Sequence, residues 1–326
     1  MKVLFVGGRW AQQLEEEDAL AKVTDFDVIA PQNQEQICEK AKDADIIVTS
    51  YPISSQVIKS AKNLKMIQVI TVGHENIDMD AAAECGVVVC NSAMANANNV
   101  AELAFGLMID VARRISLHNS LMHAGGWGRT GADLETEISG KTLGIVGLGA
   151  IGSRMAQIGF LAFQMKVIAC DPYVLGERAR QFNAKLVDMD TVFREADIVS
   201  VHVPQSKETT HLVGRKQFDL MKPTSIFINT SRGPIVDEEA LVDALKSKKI
   251  AGAGLDVFAI EPLPKDSPLR EIEDVVLVPH IGTTQETLRN MRGIAVENAI
   301  RVTKGMEPLR IVNSEVYYRS KKWFPA

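Results

Sequence analysis

The sequence predicts an α/β protein with two domains, each built around a parallel β-sheet. The chain of 326 residues is about twice the usual domain length of roughly 150 residues. Short β-branched segments alternate with longer helical patterns over most of this length. Near the middle of the chain, a glycine-rich turn at Gly147 follows one strand and opens a second series of this kind. Two α/β domains are therefore expected.

The first part of the chain contains five predicted strands. Each is a short apolar segment, and stretches with the mixed apolar and charged spacing of surface helices lie between them. Strands that alternate with helices favour a parallel sheet, because each connection must cross back over the sheet. The predicted strands are Val3–Val6, 27–30, Ile46–Thr49, 66–70 and 87–90, and predicted helices include Gln34–Ala41 and 54–61.

A buried helix is predicted to follow this first series. The segment up to residue 114 is apolar on nearly every face, which is typical of a helix inside a protein. Asn99, with Glu102 three residues later, resembles a capping box, so we expect the helix to begin near Asn99. After a glycine-rich loop over residues 125–131, strands are predicted at 141–146, at 165–170 and around Ile198, Ile226 and Val276, with a helix over 284–303.

Composition and charge exclude several classes of function. The formal net charge is −5, and no basic face indicates binding to nucleic acid or to an anionic membrane. The four cysteines form no CxxC pair and no metal-ligand pattern with the six histidines, so free thiols and no metal site are expected. The apolar N-terminus is too short for a signal peptide or a spanning helix. A cytoplasmic protein is therefore expected.

A dinucleotide-binding turn is predicted in the segment TLGIVGLGAIGSRMAQIGF. Gly147, Gly149 and Gly152 form a GxGxxG pattern between a strand and a helix, with Ala150 and Ile151 inside it. The three glycines allow a tight turn, close approach of a pyrophosphate and close packing of helix on strand. The N-terminus of the helix then offers amide groups to the phosphate charge.

The choice of cofactor is predicted to depend on Asp171, at the end of the next strand. Asp171 follows Gly152 by about 20 residues, the spacing at which an acid binds the ribose hydroxyls and repels a 2′-phosphate. NAD is therefore expected rather than NADP, although Arg178 and Arg180 leave NADP open. The N-terminal segment VGGRW lacks the third glycine and is interpreted as a plain strand-to-helix turn.

Further motifs give the chain a resemblance to a known family. ADIVSVHVPQSKETTHLVG, MKPTSIFINTSRGPIVD, GLDVFAIEP and VPHIG follow the dinucleotide turn in this order. From about Val72 to Val312 the chain resembles the D-isomer-specific 2-hydroxyacid dehydrogenases. We therefore expect two Rossmann-like or flavodoxin-like domains with an active-site cleft between them. Residues 1–98 and 293–326 are expected to bind substrate, and residues 99–292 are expected to bind NAD.

The resemblance implies an oxidoreductase that moves a hydride between NAD(H) and C2 of a small D-2-hydroxy acid or 2-keto acid. Arg232 would bind the substrate's carboxylate and carbonyl, because a guanidinium stays charged and presents a rigid fork of donors. His280 would act as the acid or base, and Glu261 would stabilise its imidazolium and orient the ring. Arg232 and His280 would also contact the cofactor.

Other binding residues follow from the same resemblance. In the first domain, the backbone amides of Val72 and Gly73 would bind the substrate carboxylate, with Asn76 supporting the turn. Asp256 would lie beside the nicotinamide carboxamide. The remaining cofactor contacts are expected at His202, Val203, Pro204, Asn229, Thr230, Ser231 and Gly282.

Several alternatives stay open at this point. The resemblance implies a homodimer that forms through the buried helix and the glycine-rich segment. A phosphonate dehydrogenase would keep the three catalytic residues, whereas a formate dehydrogenase would carry glutamine in place of Glu261. A dinucleotide-sensing protein of the co-repressor type would usually add long disordered extensions. The substrate depends on a pocket assigned to Tyr51, Pro52, Ile53 and His74, with Arg9, Trp10 and Trp323 as further candidates.

Overall fold

The computed structural model describes residues 1–8, 10–12, 23, 25–128 and 135–319. Two of the pocket candidates, Arg9 and Trp323, lie outside the described residues, as does Gly131 of the glycine-rich loop. The chain divides into two compact units. The first unit contains Met1–Asn96 and the segment from Thr284 onward, and the second contains Ala97–Thr283.

A five-stranded parallel sheet forms the centre of the first unit. Its strands are β1 (Val3–Val6), β2 (Phe26–Ile29), β3 (Ile46–Thr49), β4 (Met66–Val69) and β5 (Val88–Cys90). They are ordered β2-β1-β3-β4-β5. All except the edge strand β2 are buried along their whole length, which explains the nearly continuous apolar segments that predicted them.

Helices cover both faces of this sheet. Successive residues of a strand point to opposite faces, so Phe5 of β1 belongs to one apolar cluster and Leu4 to the other. The cluster around Leu4 includes side chains of the helices Gln34–Ala41, Ser55–Ser60 and Met79–Glu84. The cluster around Phe5 includes side chains of the helices Gln285–Thr303 and Ser314–Arg319.

Both boundaries between the units differ from the expected ones. The helix Gln285–Thr303 begins at the N-cap Thr284, whose side chain accepts a hydrogen bond from the Thr287 amide. The boundary lies between Thr283 and Thr284, and not between residues 292 and 293, because this helix belongs as a whole to the first unit. The other boundary lies between Asn96 and Ala97, and not between residues 98 and 99.

The second unit is built on a seven-stranded parallel sheet. The chain runs from β6 through β7 to β8 in one direction and from β9 to β12 in the other, so the strand order reverses beside β6. Open parallel sheets bind ligands outside the carboxyl ends of their strands at such a point. The strands are β6 (Thr142–Val146), β7 (Lys166–Cys170), β8 (Ala184–Leu186), β9 (Ile198–Val201), β10 (Ile226–Asn229), β11 (Gly252–Leu255) and β12 (Val275–Leu277), in the order β12-β11-β10-β9-β6-β7-β8.

Helices pack around the second sheet, and the buried one begins earlier than expected. It spans Ala97–Arg113, so Asn99 lies inside the helix and does not cap it. Phe105 of this helix stacks on Phe163, with ring centroids 5.3 Å apart. The other helices of the unit are Ile115–His123, Ala150–Phe163, Gly176–Gln181, Met189–Glu195, Arg215–Leu220 and Glu238–Lys246, with 3-10 turns at Gly233–Ile235 and Pro268–Glu271.

Three further findings concern membrane-spanning helices, metal-binding groups and cysteines. None of the described helices has the length and apolar character needed to cross a membrane. The described residues contain no group of three or more His, Cys, Asp or Glu side chains placed to hold a metal ion. All four cysteines are free thiols.

Candidate active site

The glycine-rich turn follows β6 and leads into the helix Ala150–Phe163. Gly147 has a φ of +92°, and a Cβ there would lie 2.9 Å from the backbone carbonyl of His202, so only glycine fits. At Gly152 a Cβ would lie 2.0 Å from the carbonyl oxygen of Gly147, which shows how closely helix and turn pack. A Cβ on Gly149, in contrast, would meet no described atom within 4 Å. The backbone at Gly149 is therefore open to a ligand.

Asp171 lies directly after β7 and is bonded to the same turn. Its Oδ2 accepts a hydrogen bond from the Leu148 amide at 2.8 Å, and its Oδ1 accepts one from the Tyr173 amide at 2.9 Å. The half-buried carboxylate keeps further lone pairs for hydroxyl groups. The neighbouring helix begins at Ala150 and Ile151 with no acidic residue in its first turn, so its N-terminus favours an anion.

Two buried polar atoms in this unit have no hydrogen-bond partner among the described residues. They are Nδ1 of His202 and Oγ1 of Thr230. The other ring nitrogen of His202 pairs with Ser200 Oγ at 2.8 Å. Burial lowers the pKa of His202 to about 3, because the imidazolium would lose its hydration, so the ring is neutral at pH 7. Val203 is half-buried and Pro204 is exposed.

These features fit a dinucleotide. Buried polar atoms are normally paired, so unpaired ones indicate a place where a ligand completes the hydrogen bonding. The open backbone at Gly149 suits a pyrophosphate, and the carboxylate of Asp171 suits a pair of ribose hydroxyls. The residues that would hold NAD therefore have the chemistry that NAD requires.

Arg232 follows β10 and a tightly bonded turn. Asn229 Oδ1 accepts hydrogen bonds from the Ser231 amide at 3.0 Å and from the Ser231 hydroxyl at 2.8 Å. Asn229 Nδ2 donates to the Arg232 carbonyl at 3.1 Å, and the guanidinium Nη1 donates to the Ser231 carbonyl at 2.7 Å. The asparagine thus fixes the backbone from which the arginine side chain extends.

The residue after Arg232 packs directly on a second segment, the loop of residues 257–261. A Cβ on Gly233 would lie 1.9 Å from the carbonyl oxygen of Phe258 and 2.5 Å from the Ala259 amide nitrogen, so no side chain fits there. The two backbones are therefore in direct contact. The segment that carries Arg232 and the loop that carries Glu261 pack as one piece.

Glu261 and His280 form an acid–imidazole pair. Glu261 Oε2 lies 2.7 Å from His280 Nδ1, and Glu261 Oε1 accepts a hydrogen bond from the Phe258 amide at 3.1 Å. When Nδ1–H donates to the carboxylate, Nε2 is left as the nitrogen that exchanges a proton with another molecule. Both side chains are partly exposed, at 49% for His280 and 36% for Glu261, so a small molecule can reach them.

Asp256, which is buried directly after β11, accepts hydrogen bonds from three successive backbone amides that begin at His280. Its carboxylate accepts hydrogen bonds from the amides of Ile281 at 2.6 Å and Gly282 at 3.0 Å, and its carbonyl accepts one from the His280 amide at 3.0 Å. Burial raises the pKa of the Asp256 carboxyl, against the opposing effect of the two amides and of His280. His280 itself adopts a left-handed φ of 52°. The expected contact of Asp256 with a nicotinamide carboxamide stays a prediction.

The expected substrate-binding residues of the first unit lie in the loop after β4. Asn91 Nδ2 donates to the Val72 carbonyl at 2.6 Å, and the Ile53 amide donates to the Asn76 carbonyl at 2.9 Å. The amides of Val72 and Gly73 donate to no acceptor in the described part of the chain. Adjacent free amides of this kind suit an anion.

Trp10, a candidate for substrate contact, packs within the first unit. Its Nε1 donates to Ser50 Oγ at 2.8 Å. A Cβ on Gly7 would lie 2.2 Å from Cε2 of the indole, so the ring fills the turn after β1. The described pocket candidates differ in exposure, since Ile53 is buried, Tyr51 and His74 are half-buried and Pro52 is exposed.

One residue near the acid–imidazole pair was not indicated by the sequence. Glu238 Oε2 accepts a hydrogen bond from the Ala259 amide at 2.9 Å, which links the helix Glu238–Lys246 to the loop that carries Glu261. Acidic residues are common in the first turn of a helix because the positive end of the helix dipole stabilises their negative charge. Nothing in the sequence distinguishes Glu238 from the neighbouring Glu239, which occupies the same turn.

Comparisons with known proteins are consistent among sequences and structures. Residues 105–282 match the family model of the D-isomer-specific 2-hydroxyacid dehydrogenases, NAD-binding domain. A glyoxylate reductase from Thermococcus litoralis is 39% identical over 289 residues, which cover 86% of this chain and 87% of that protein. The crystal structure of a glyoxylate reductase from Paecilomyes thermophila superposes with a TM-score of 0.88 at 30% identity, and covers 97% of this chain and 99% of that chain.

A longer relative is also similar. A D-3-phosphoglycerate dehydrogenase from Archaeoglobus fulgidus is 41% identical over 282 residues, or 86% of this chain. The matched region is 53% of that protein, so the chain spans about half the length of this relative.

Proposed function

Because the chain belongs to the D-isomer-specific 2-hydroxyacid dehydrogenase family, as its motifs predicted, we propose that it transfers a hydride between NAD(H) and C2 of a small D-2-hydroxy acid or 2-keto acid. The predictions of two parallel sheets in an α/β fold and of NAD as cofactor are confirmed. The observation that carries the proposal is the Glu261–His280 pair at 2.7 Å, in the unit that matches the NAD-binding domain.

His280 is proposed to move the proton that accompanies the hydride. When bound, NAD(H) supplies or accepts the hydride at C2. In reduction, Nε2 of His280 donates a proton to the oxygen on C2, and in oxidation it removes the proton from the hydroxyl. Glu261 keeps Nδ1 as the donor to its carboxylate and stabilises the imidazolium by charge.

Arg232 is proposed to bind the substrate carboxylate and polarise the C2 carbonyl. Its guanidinium stays charged and offers donors in a fixed plane, which suits the negative charge that develops on the carbonyl oxygen during reduction. The free amides of Val72 and Gly73 support a role in binding the carboxylate, and Asn76 holds their loop through its carbonyl.

The cofactor contacts remain proposals at the level of single residues. The backbone at Gly149 and the carboxylate of Asp171 support binding of the pyrophosphate and the ribose. The unpaired atoms of His202 and Thr230 support contacts from these side chains. The other proposed contacts are Gly147, Ala150, Ile151, Gly152, Val203, Pro204, Asn229, Ser231, Arg232, Asp256, His280 and Gly282.

A substrate screen tests the proposed reaction. Oxidation of NADH is followed with glyoxylate, hydroxypyruvate, pyruvate, oxaloacetate and branched 2-keto acids, and reduction of NAD is followed with phosphite and formate. We expect turnover with a small 2-keto acid, and glyoxylate is the first choice because relatives of high coverage are glyoxylate reductases. Turnover of phosphite alone would identify a phosphonate-type enzyme. NADH binding without any turnover would favour a dinucleotide-sensing protein.

One variant ties the reaction to the proposed site. His280→Gln removes the group that exchanges the proton but leaves the glycine turn and Asp171 intact. We expect loss of most activity in both directions, by about a hundredfold or more, with unchanged binding of NADH measured by fluorescence. Near-normal kcat/KM in this variant would contradict the assignment of His280.

A homodimer and a cytoplasmic location complete the proposal. The helix Ile115–His123 has no buried residue, and the apolar side chains of Ile115, Met122 and Trp127 are at least half exposed, which supports a second copy of the chain as partner. Trp127→Ser should shift the mass measured by light scattering toward the monomer. The free thiols fit a reducing compartment, and the net charge of −5 favours neither nucleic acid nor membrane as a partner.

A further inference from the structure

Glu238 makes a contact that the proposed mechanism does not use. It stands at the start of the helix Glu238–Lys246, where Asp237 is the N-cap and accepts a hydrogen bond from the Ala240 amide at 3.1 Å. The helix therefore has its own cap. The Glu238 carboxylate bonds outside the helix, to the Ala259 amide at 2.9 Å.

That amide lies in the loop that sets the position of Glu261. The amide of the preceding residue, Phe258, donates to Glu261 Oε1 at 3.1 Å, and Glu261 Oε2 lies 2.7 Å from His280 Nδ1. Successive hydrogen bonds thus run from Glu238 through the peptide groups of the loop to the imidazole. The same peptide group, between Phe258 and Ala259, also packs on Gly233, which has no room for a side chain.

We propose that Glu238 is a positioning residue, which holds the loop of residues 257–261 so that Glu261 faces His280. A hydrogen bond between a carboxylate and an amide is stronger than one between neutral groups, and this one holds the loop at the residue next to Phe258. Without it, the loop keeps its contact with Gly233 but the Phe258 amide and Glu261 are held less firmly. The imidazolium of His280 then loses part of its stabilisation. This inference rests on the proposed function, in which His280 exchanges the proton.

The matched control for Glu238 is Glu239. Both residues are acidic, both lie in the first turn of the same helix, and both interact favourably with its dipole. Glu239 is exposed and has no contact with the loop among the described hydrogen bonds. A general effect of removing negative charge from this turn would therefore appear equally in Glu238→Ala and Glu239→Ala.

The experiment compares Glu238→Ala, Glu238→Gln and Glu239→Ala with the unchanged chain. The pH dependence of kcat/KM for glyoxylate reduction is measured, and the imidazole of His280 is titrated by NMR, with its signal assigned from His280→Gln. We expect Glu238→Ala to lower kcat by about tenfold and to move the His280 titration and the reductive limb to lower pH. Glu238→Gln keeps an acceptor for the Ala259 amide and should restore both, and Glu239→Ala should change neither.

A double variant shows whether Glu238 acts through Glu261. In a chain with Glu261→Gln, the carboxylate that supports the imidazolium is already absent, so Glu238→Ala should add no further shift to the His280 titration. An additional shift would overturn the inference, as would an unchanged titration in Glu238→Ala or equal shifts in the two alanine variants. Melting curves of these two variants report whether either loses the fold.

The NMR titration separates this inference from the proposed function. If no 2-keto acid is reduced, the proposed function fails. The positioning role of Glu238 is still tested by the titration of His280. If the chain reduces a 2-keto acid and the titration is the same in Glu238→Ala, only the role of Glu238 is withdrawn.

Discussion

The two units contain similar glycine turns that serve different purposes. In each unit two glycines closely follow the carboxyl end of an interior parallel strand. They are Gly7 and Gly8 after β1, and Gly147 and Gly149 after β6. In the first unit the indole of Trp10 fills the space over Gly7. In the second unit the space over Gly149 contains no described atom within 4 Å. A glycine in a turn therefore indicates close approach, but not whether a side chain or a ligand approaches.

The largest effect should follow from closing the open turn. Gly149→Ala places a methyl group where we expect the pyrophosphate, without touching a described protein atom. Affinity for NADH should fall by about a hundredfold, or about 3 kcal/mol, while the melting temperature stays nearly unchanged. Titration calorimetry measures the affinity for NADH, and thermal melts measure the melting temperature. Unchanged NADH affinity would mean that the open space is not the pyrophosphate site.

The opposite pattern is expected at the filled turn. Gly7→Ala forces the indole of Trp10 out of its place, which should destabilise the chain by about 2 kcal/mol. The control is Gly8→Ala, since a Cβ on Gly8 meets only the Tyr51 hydroxyl at 3.7 Å. Urea unfolding measures both. Equal stability of the two variants would show that Trp10 does not depend on Gly7.

The residues that support the turns should also respond differently to acid. Trp10 does not titrate, whereas His202, behind Gly147, is buried with its pKa lowered to about 3. Below pH 6.5 the unfolded chain binds a proton at His202 that the folded chain does not bind. Stability should thus fall with pH below 6.5, with a contribution of at most about 1.4 kcal/mol per pH unit. In His202→Asn this part of the slope should disappear, as measured by urea unfolding between pH 7 and about pH 5.

The smallest effect concerns the strand beside each turn. β7 is followed directly by Asp171, whereas β2 in the first unit is followed by Ala30 and Pro31, which offer no carboxylate. Asp171→Ala should weaken NAD and relatively improve NADP, so that the ratio of kcat/KM values shifts by about tenfold. Kinetics with both cofactors checks the ratio. If the unsubstituted chain already preferred NADPH over NADH, this role of Asp171 would be contradicted.

The sequence predicted the elements whose signals are local. The strand Ile46–Thr49 is apolar and β-branched, and the structure has it with the same bounds. The strand Gly252–Leu255 was missed because its sequence, GAGL, lacks such residues. There a Cβ on Gly252 would lie 2.5 Å from the Asp274 carbonyl, and one on Gly254 would lie 2.8 Å from Leu107 Cβ. Contacts with neighbouring segments require glycine at these two positions, and the local sequence contains no pattern that indicates such contacts.

The residues of the candidate site fall into the same two groups, those with a local sequence signal and those without one. The glycines of the turn and Asp171 could be predicted from spacing, because one strand and one helix bring them together. Arg232, Glu261 and His280, and the pairing of the last two, were predicted only through the family resemblance, and the structure adds the distance of 2.7 Å between Glu261 Oε2 and His280 Nδ1. Glu238 could not be found, because its partner Ala259 belongs to a different segment and contributes only a backbone amide.

The missing side chain at Gly233 has a consequence for how substrate preference can change. Because the backbone of Gly233 packs directly on Phe258, any side chain at position 233 would push apart the segments that carry Arg232 and Glu261. A search for altered preference should leave residues 229–261 as they are. Tyr51, Pro52 and His74, which the sequence predicts to line the substrate pocket, are the positions to vary in a search for activity with a longer or branched acid.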